Sequence, residues 1–278
     1  VGIGTTSYET TAGSSSSGDT YYSTVTTGHG KAWANMVNDV NTWLVSNGYS
    51  GQVSAAGAID IETSWASPDD ARAWVAGYDA NNQYMLLNFG AAEGCAYIRS
   101  QTTTLCVNGW NQGDVYYVSY GAGPSYPVPE IYLTNGYNAV QWALISLWGA
   151  KNEGSAIEFL GVMTEYQACQ QRGGCSSIGI DNPPENGWNQ LTNELAVDSR
   201  TAQYIKWSTD ILWMYDLLDS SSSAANSTKE LSGDDFQTVI ERYQAALSSD
   251  SLSESARVSL REKMEIQQRL AADQQSGL

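Results

Sequence analysis

The stretch AGAIDIETSW carries the residues best placed to do chemistry. If it runs as a strand, Asp60 and Glu62 point to one face and Ile59 and Ile61 to the other, because side chains alternate along extended backbone. Their Cα atoms then lie about 6.6 Å apart by strand rise. Two carboxylates on one interior face repel each other and lose hydration, so the pKa of one is pushed upward. A carboxyl kept protonated in this way is a general acid, and its ionised neighbour stabilises positive charge or activates water. A structural network, in which Tyr, Trp or backbone N–H groups donate to these acids, would use the same residues.

Glu165 closes IEFLGVMTEY in the same manner, facing the same way as Gly161 and Met163. Tyr120 and Asn88 end two more strand-like runs, DVYYVSYG and YMLLNFG, while Glu130 opens the short run EIYL and is a weaker candidate. Tyr120 and Trp65 offer rings suited to lining a sugar site. His29 is the one histidine, so no multi-His metal site can form and any Ser-His-Asp triad depends on this residue. It sits in GHGK at a helix start, where a solvent-facing turn residue is the simpler reading. GHGK is not a phosphate loop, because Val25 and Ala32 stand where that motif needs Gly and Ser or Thr. No G-x-G-x-x-G follows a strand with an acid downstream. Neither a cofactor nor a metal is expected.

The elements that must position these side chains alternate along the chain. VGIGTTSY reads as a strand, and after a Ser/Thr/Gly-rich loop from Glu9 to Gly28 a helix runs from about Gly30 to Asn47, with Trp33, Met36, Val37, Val40 and Leu44 at helical spacing. Gln52 to Glu62 reads as a strand. Ser67-Pro68-Asp69-Asp70 then starts a helix over Ala71 to Tyr78. Strands over Tyr84 to Gly90, Asp114 to Gly121 and Glu130 to Leu133, a helix over Asn138 to Asn152, and a strand over Ile157 to Tyr166 follow. Continuous apolar strands alternating with helices predict a parallel sheet covered by helices, in a (β/α) barrel-like α/β fold. The runs number about six, short of the eight of the standard barrel, and residues preceding Val1 in a longer native chain would supply the rest. An open doubly wound sheet is the alternative.

The expected domain spans residues 1–218, followed by a Ser/Ala-rich linker over 219–233. Residues 234–278 are expected to form a separable helical hairpin, with Phe236, Val239, Ile240, Tyr243 and Leu247 on one stripe, either docked or offered to a partner. With 13 Lys and Arg against 30 Asp and Glu, the net charge of -17 repels nucleic acid and anionic membrane surfaces. Neutral glycans and cationic partners remain open, and no segment is long and apolar enough for a membrane span. The four cysteines fall into two close pairs, neither with C-x-x-C spacing. Closing short loops demands the least entropy, so bridges Cys95–Cys106 and Cys169–Cys175 are favoured, as in a secreted protein.

GHGKAWANMVNDVNTWL, AGAIDIETSW, NGWNQGDVYYVSYGA, PEIYLTNGYNAVQW, MTEYQACQQ and GWNQL with DSRTAQYIKWSTDI resemble a group of secreted, largely actinobacterial proteins described as glycoside-hydrolase-like. The resemblance spans about Val1 to Ile211, and such proteins usually carry further sequence before the segment matching VGIGTTSY. The D-x-E of Asp60 and Glu62 is also loosely similar to the acid pair of lysozyme-like barrels that cleave bacterial cell wall. What the resemblance implies is a glycan-active barrel, with Glu62 as general acid, Asp60 and Glu165 as stabilising or activating acids, and Tyr120, Trp65, Asn88 and His29 about the substrate. The alternative is a non-catalytic extracellular binding or surface-assembly protein that self-associates, or holds a protein partner, through its hairpin. A hydrolase using His29 is the third reading.

Overall fold

The computed structural model describes residues 1–7 and 25–212, with scattered positions between 240 and 268. Four strands, β1 (Gly2–Thr6), β2 (Ala56–Asp60), β3 (Leu86–Asn88) and β4 (Ser125–Pro127), pair in that order, all parallel. Two more, β5 (Gly161–Thr164) and β6 (Trp207–Asp210), form a parallel pair. A single parallel bridge, Glu130 to Met163, joins the chain just beyond β4 to β5, with Ile131 N–H donating to Met163 O at 2.8 Å. Parallel neighbours need crossovers, which helices supply: α1 (Thr27–Ser46), α2 (Pro68–Asp79), α3 (Gln112–Tyr116), α4 (Tyr137–Asn152), α5 (Tyr166–Gln171) and α6 (Pro184–Ala196). The expected α/β architecture with a parallel sheet is therefore present.

Local chemistry explains the helix boundaries. Thr26 Oγ1 accepts from His29 N–H at 3.2 Å to start α1. Ser67 Oγ accepts from Asp70 N–H at 3.2 Å to start α2, with Pro68 and the dipole-favoured Asp69 and Asp70 in its first turn. These two helices cross closely because glycines face each other's backbone. A Cβ on Gly30 would fall 1.9 Å from Trp74 O, and one on Gly77 would fall 2.1 Å from Thr27 O. The crossing seals Ala34, Trp74, Val75 and Tyr78 with Ile59 and Leu86 into the main apolar core.

The run Asp114 to Gly121, expected as a strand, is instead α3 and one π-helical turn (Tyr117–Gly121). Asn111 and Asp114 form a reciprocal capping box that commits the chain to a helix against the strand preference of its Val and Tyr residues. The strand β4 lies in SYP, within the stretch read as a Gly/Pro turn, and EIYL contributes only the Glu130 bridge. The expected linker and most of the expected hairpin lie outside the described residues. Of the hairpin positions that are described, Ile240 is buried, and Leu247 and Met264 pack with Met85, Leu87 and Leu160 against Tyr126.

Both bridges, Cys95–Cys106 and Cys169–Cys175, are present and fit an oxidising, extracellular setting. No helix among the described residues is long and apolar enough to cross a membrane.

Candidate functional site

Asp60 is the last residue of β2, and beyond it Ile61 returns to the core while Glu62 stays at the strand's C-terminal end. Glu62 N–H donates to Ser7 Oγ at 3.1 Å, which ties this turn to the end of β1. Gly90, just past β3, approaches so closely that a Cβ there would lie 1.8 Å from Ile61 O. Only glycine permits that contact, and Gly90 O then accepts from Glu130 N–H at 3.4 Å. The result brings three acids together. One carboxylate oxygen from each of Asp60, Glu62 and Glu130 lies within 4.8 Å of the other two.

Asp60 and Glu62 are half-buried and Glu130 is buried. Tyr132 Oη donates to Glu130 Oε1 at 2.9 Å, whereas Asp60 Oδ1 is buried with no hydrogen-bond partner among the described residues. Burial, and then the charge of Glu93, pushes Asp60 up to about 6. Burial, and then Asp60, Glu93 and Glu165, pushes Glu62 up to about 8. Glu130 is driven well above the usual carboxylate range by burial and then by Asp60 and Glu62, a rise that the Tyr132 bond only partly offsets. Burial and the adjoining Glu130 raise the Tyr132 hydroxyl in turn. The charged residues that act on the three acids are all carboxylates.

No protein-family profile matches this chain, and neither does any curated protein or solved structure. The chemistry of the residues therefore has to carry the functional reading. Glu62 is raised further than Asp60, so of the two it is the better proton donor and Asp60 the better charged acceptor. The same three oxygens are a donor set that a hard cation would accept. Ca²⁺, however, takes about six to eight oxygens, and Tyr132 already engages one of these carboxylates, so protons relieve the repulsion with less rearrangement.

Glu165 lies just past β5, near enough to act on Glu62 and Glu130, and its Oε2 is ion-paired with Arg172 Nη2 at 2.6 Å. Trp65 sits half-buried on the same loop as Glu62, with its backbone N–H donating to the Glu62 backbone carbonyl at 3.1 Å. Three other expected site residues are occupied elsewhere. Tyr120 is only 3% exposed, packs edge-on against Tyr116, and feels Glu158, which precedes β5 and so marks the opposite end of the sheet. Asn88 does end β3, but it is buried, donating to Ser119 Oγ at 3.1 Å and accepting from Gly90 N–H at 3.0 Å, so it holds a turn. His29 Nδ1 accepts from the Trp74 indole N–H at 3.1 Å within the α1–α2 crossing.

The sequence pattern predicts EIYL as a strand that Glu130 opens. The pairing ends at Pro127, three residues earlier, so Glu130 stands past the C-terminal end of β4 with the other acids. Glu93 and Tyr132 gave no signal of their own. Each is a single polar residue on a loop, drawn in by the two chain segments that meet at Gly90.

Proposed function

We propose that this chain is a secreted, glycan-active protein that cleaves a glycosidic bond with carboxyls at the C-terminal ends of a barrel-like parallel sheet. The observation that supports this reading is the cluster of Asp60, Glu62 and Glu130, whose crowding and burial raise Glu62 further than Asp60 and so favour a proton on Glu62. Glu62 is the general acid, protonating the leaving oxygen, and Asp60 stabilises or attacks the developing oxocarbenium centre. The close oxygen approach favours the narrow, retaining arrangement, in which the two carboxyls stand about 5–5.5 Å apart, over the wider inverting one. Glu130, held by Tyr132, and Glu165, held by Arg172, are positioning residues that crowd the Asp60–Glu62 pair.

The test is a screen of the purified chain on cell-wall and neutral polysaccharides, with and without chelator. Glu62→Gln keeps the shape and removes the donor, so it is expected to slow turnover at least about a hundredfold. Because the acid must carry its proton, the wild-type rate is expected to fall as pH rises through about 8. An active enzyme indifferent to Glu62→Gln refutes the assignment, and one abolished by chelator replaces the proton with a cation. A protein that binds glycans and cleaves none is the non-catalytic alternative.

A further inference from the structure

The loops that deliver Glu93 and Glu130 also deliver two tyrosines to the surface. Tyr97 lies four residues beyond Glu93, and Tyr137 lies seven beyond Glu130. By the maximum span of an extended chain, their Cα atoms are within about 14 Å and 25 Å of those acids. Their rings touch, with centroids 4.7 Å apart and planes tilted by 39°. Tyr97 is 38% exposed and Tyr137 44%. Their backbone N–H groups donate to Gln101 Oε1 at 2.9 Å and to Asn135 Oδ1 at 3.0 Å, and neither hydroxyl is hydrogen-bonded among the described residues.

This pair is held rigidly. The Cys95–Cys106 bridge closes the loop carrying Tyr97, and Gln141 on α4 donates to Cys95 O at 3.1 Å, tying that loop to the helix that begins with Tyr137. Ile98, Leu105 and Val107, also exposed, lie on the same disulfide-closed stretch of chain or beside it. An exposed, pre-ordered aromatic surface with free hydroxyls suits a ligand that is apolar on its face and polar on its edge. A pyranose ring has that character. The chain's net charge of -17 disfavours polyanions, and an uncharged sugar matches a platform whose own polar groups are neutral hydroxyls.

Resting on the hydrolase reading above, we infer that Tyr97 and Tyr137 form a stacking platform for a neutral sugar ring outside the cleavage point, making the substrate an oligomer or polymer rather than a disaccharide. The molecule supplies its own control. Trp43 and Tyr49 are also exposed and stacked, 5.7 Å apart, but they sit where α1 ends and the chain turns back to enter β2, at the N-terminal end of the sheet.

The experiment uses full-length protein and neutral β-1,4-linked oligosaccharides of two and six rings, in glucose and N-acetylglucosamine series. With Glu62→Gln present to block turnover, the hexamer is expected to bind about tenfold or more tighter than the dimer. Adding Tyr97→Ala or Tyr137→Ala is expected to erase that difference, while Tyr97→Phe and Trp43→Ala retain it. Hexamer preference unchanged by both alanines, or no binding of any oligomer, overturns the platform. Turnover on the same oligomers with Glu62 intact keeps the two readings apart. Binding that depends on Tyr97 without cleavage sinks the hydrolase and keeps the platform, whereas Glu62-dependent cleavage indifferent to Tyr97→Ala and Tyr137→Ala does the reverse.

Discussion

Ile59 and Asp60 are neighbours on β2, yet their side chains enter regions governed by different physics. On the Ile59 side, α1 and α2 pack an apolar layer in which the polar groups are paired. Trp33 Nε1 donates to Ile3 O at 2.9 Å, Trp74 Nε1 to His29 Nδ1 at 3.1 Å, and the Tyr78 hydroxyl meets Met85 O at 3.1 Å while accepting from Gly57 N–H at 3.2 Å. On the Asp60 side, three acids crowd together and one buried oxygen has no partner among the described residues. Partnerless buried charge is destabilising, so the first region stabilises the fold against the cost of the second. The contrast teaches where substitution should harm stability and where it should help.

The sharpest way to break the comparison is at the helix crossing. Alanine is the better helix former by about 1 kcal/mol, so Gly77→Ala on α2 would be stabilising if propensity decided. The added Cβ would lie 2.1 Å from a backbone carbonyl that cannot rotate aside, and overpacking costs about 1–3 kcal/mol or more. Sterics should win, with a net loss of about 2 kcal/mol, read as a melting temperature lower by roughly 4 °C or more. Gly28→Ala is the control: its nearest contact would be Thr26 Oγ1 at 3.9 Å, so it should leave the melt unchanged or slightly raised. Equal effects at the two sites would mean that the close crossing is not what holds this layer.

The same contrast separates what the sequence reveals from what it hides. The helices α1, α2 and α4 are legible because apolar spacing, Ser67-Pro68 and the flanking glycines all agree with their final state. Asp60, Glu62 and Glu165 are legible because each ends or follows a strand that is itself legible. Tyr120 and Glu130 depart from the sequence pattern for one reason: the strand lies in SYP rather than in DVYYVSYG or EIYL, so Tyr120 sits in a helical turn and Glu130 stands past a strand's C-terminal end. The local signal for this is Asn111-Gln-Gly-Asp114, a capping-box spacing that announces a helix. The roles of Glu93 and Tyr132 depend on tertiary approach at Gly90, which no local pattern encodes.

At the acid cluster the comparison predicts the opposite sign. Asp60 and Glu62 titrate higher in the folded chain than in the unfolded one, as does Glu130, so the folded state binds more protons across the interval between. Stability then falls as pH rises from the ordinary carboxylate range, about 4.5, through 6 for Asp60 and 8 for Glu62. Below that window these groups carry no penalty. Glu130→Gln keeps the shape and removes a carboxyl that the fold must either protonate or bury charged, so at pH 8 it should melt above the wild type. It should also flatten the decline between pH 5 and 8. A Glu130→Gln variant that melts lower than wild type at pH 8 would show that a bound cation or an unseen donor already satisfies the cluster.

The smallest expected effect sits on the border between the two regions, at His29. As the acceptor for Trp74 Nε1, it keeps the indole of a fully buried tryptophan satisfied. His29→Ala removes that acceptor, and an unmatched buried donor costs about 1–3 kcal/mol; the half-buried position lets water recover part of this, so a loss near 1 kcal/mol is expected. If His29 belongs to the packed layer alone, the variant melts about 2–4 °C lower and, on the proposed hydrolase reading, keeps the wild-type rate below its melt. His29→Gln, which can offer a side-chain oxygen to the same N–H, should recover part of the loss. If His29 were instead a catalytic base, both variants would lose activity together whatever their melting temperatures. Measuring melt and rate on the same two proteins decides between an acceptor that serves the fold and a base that serves the reaction.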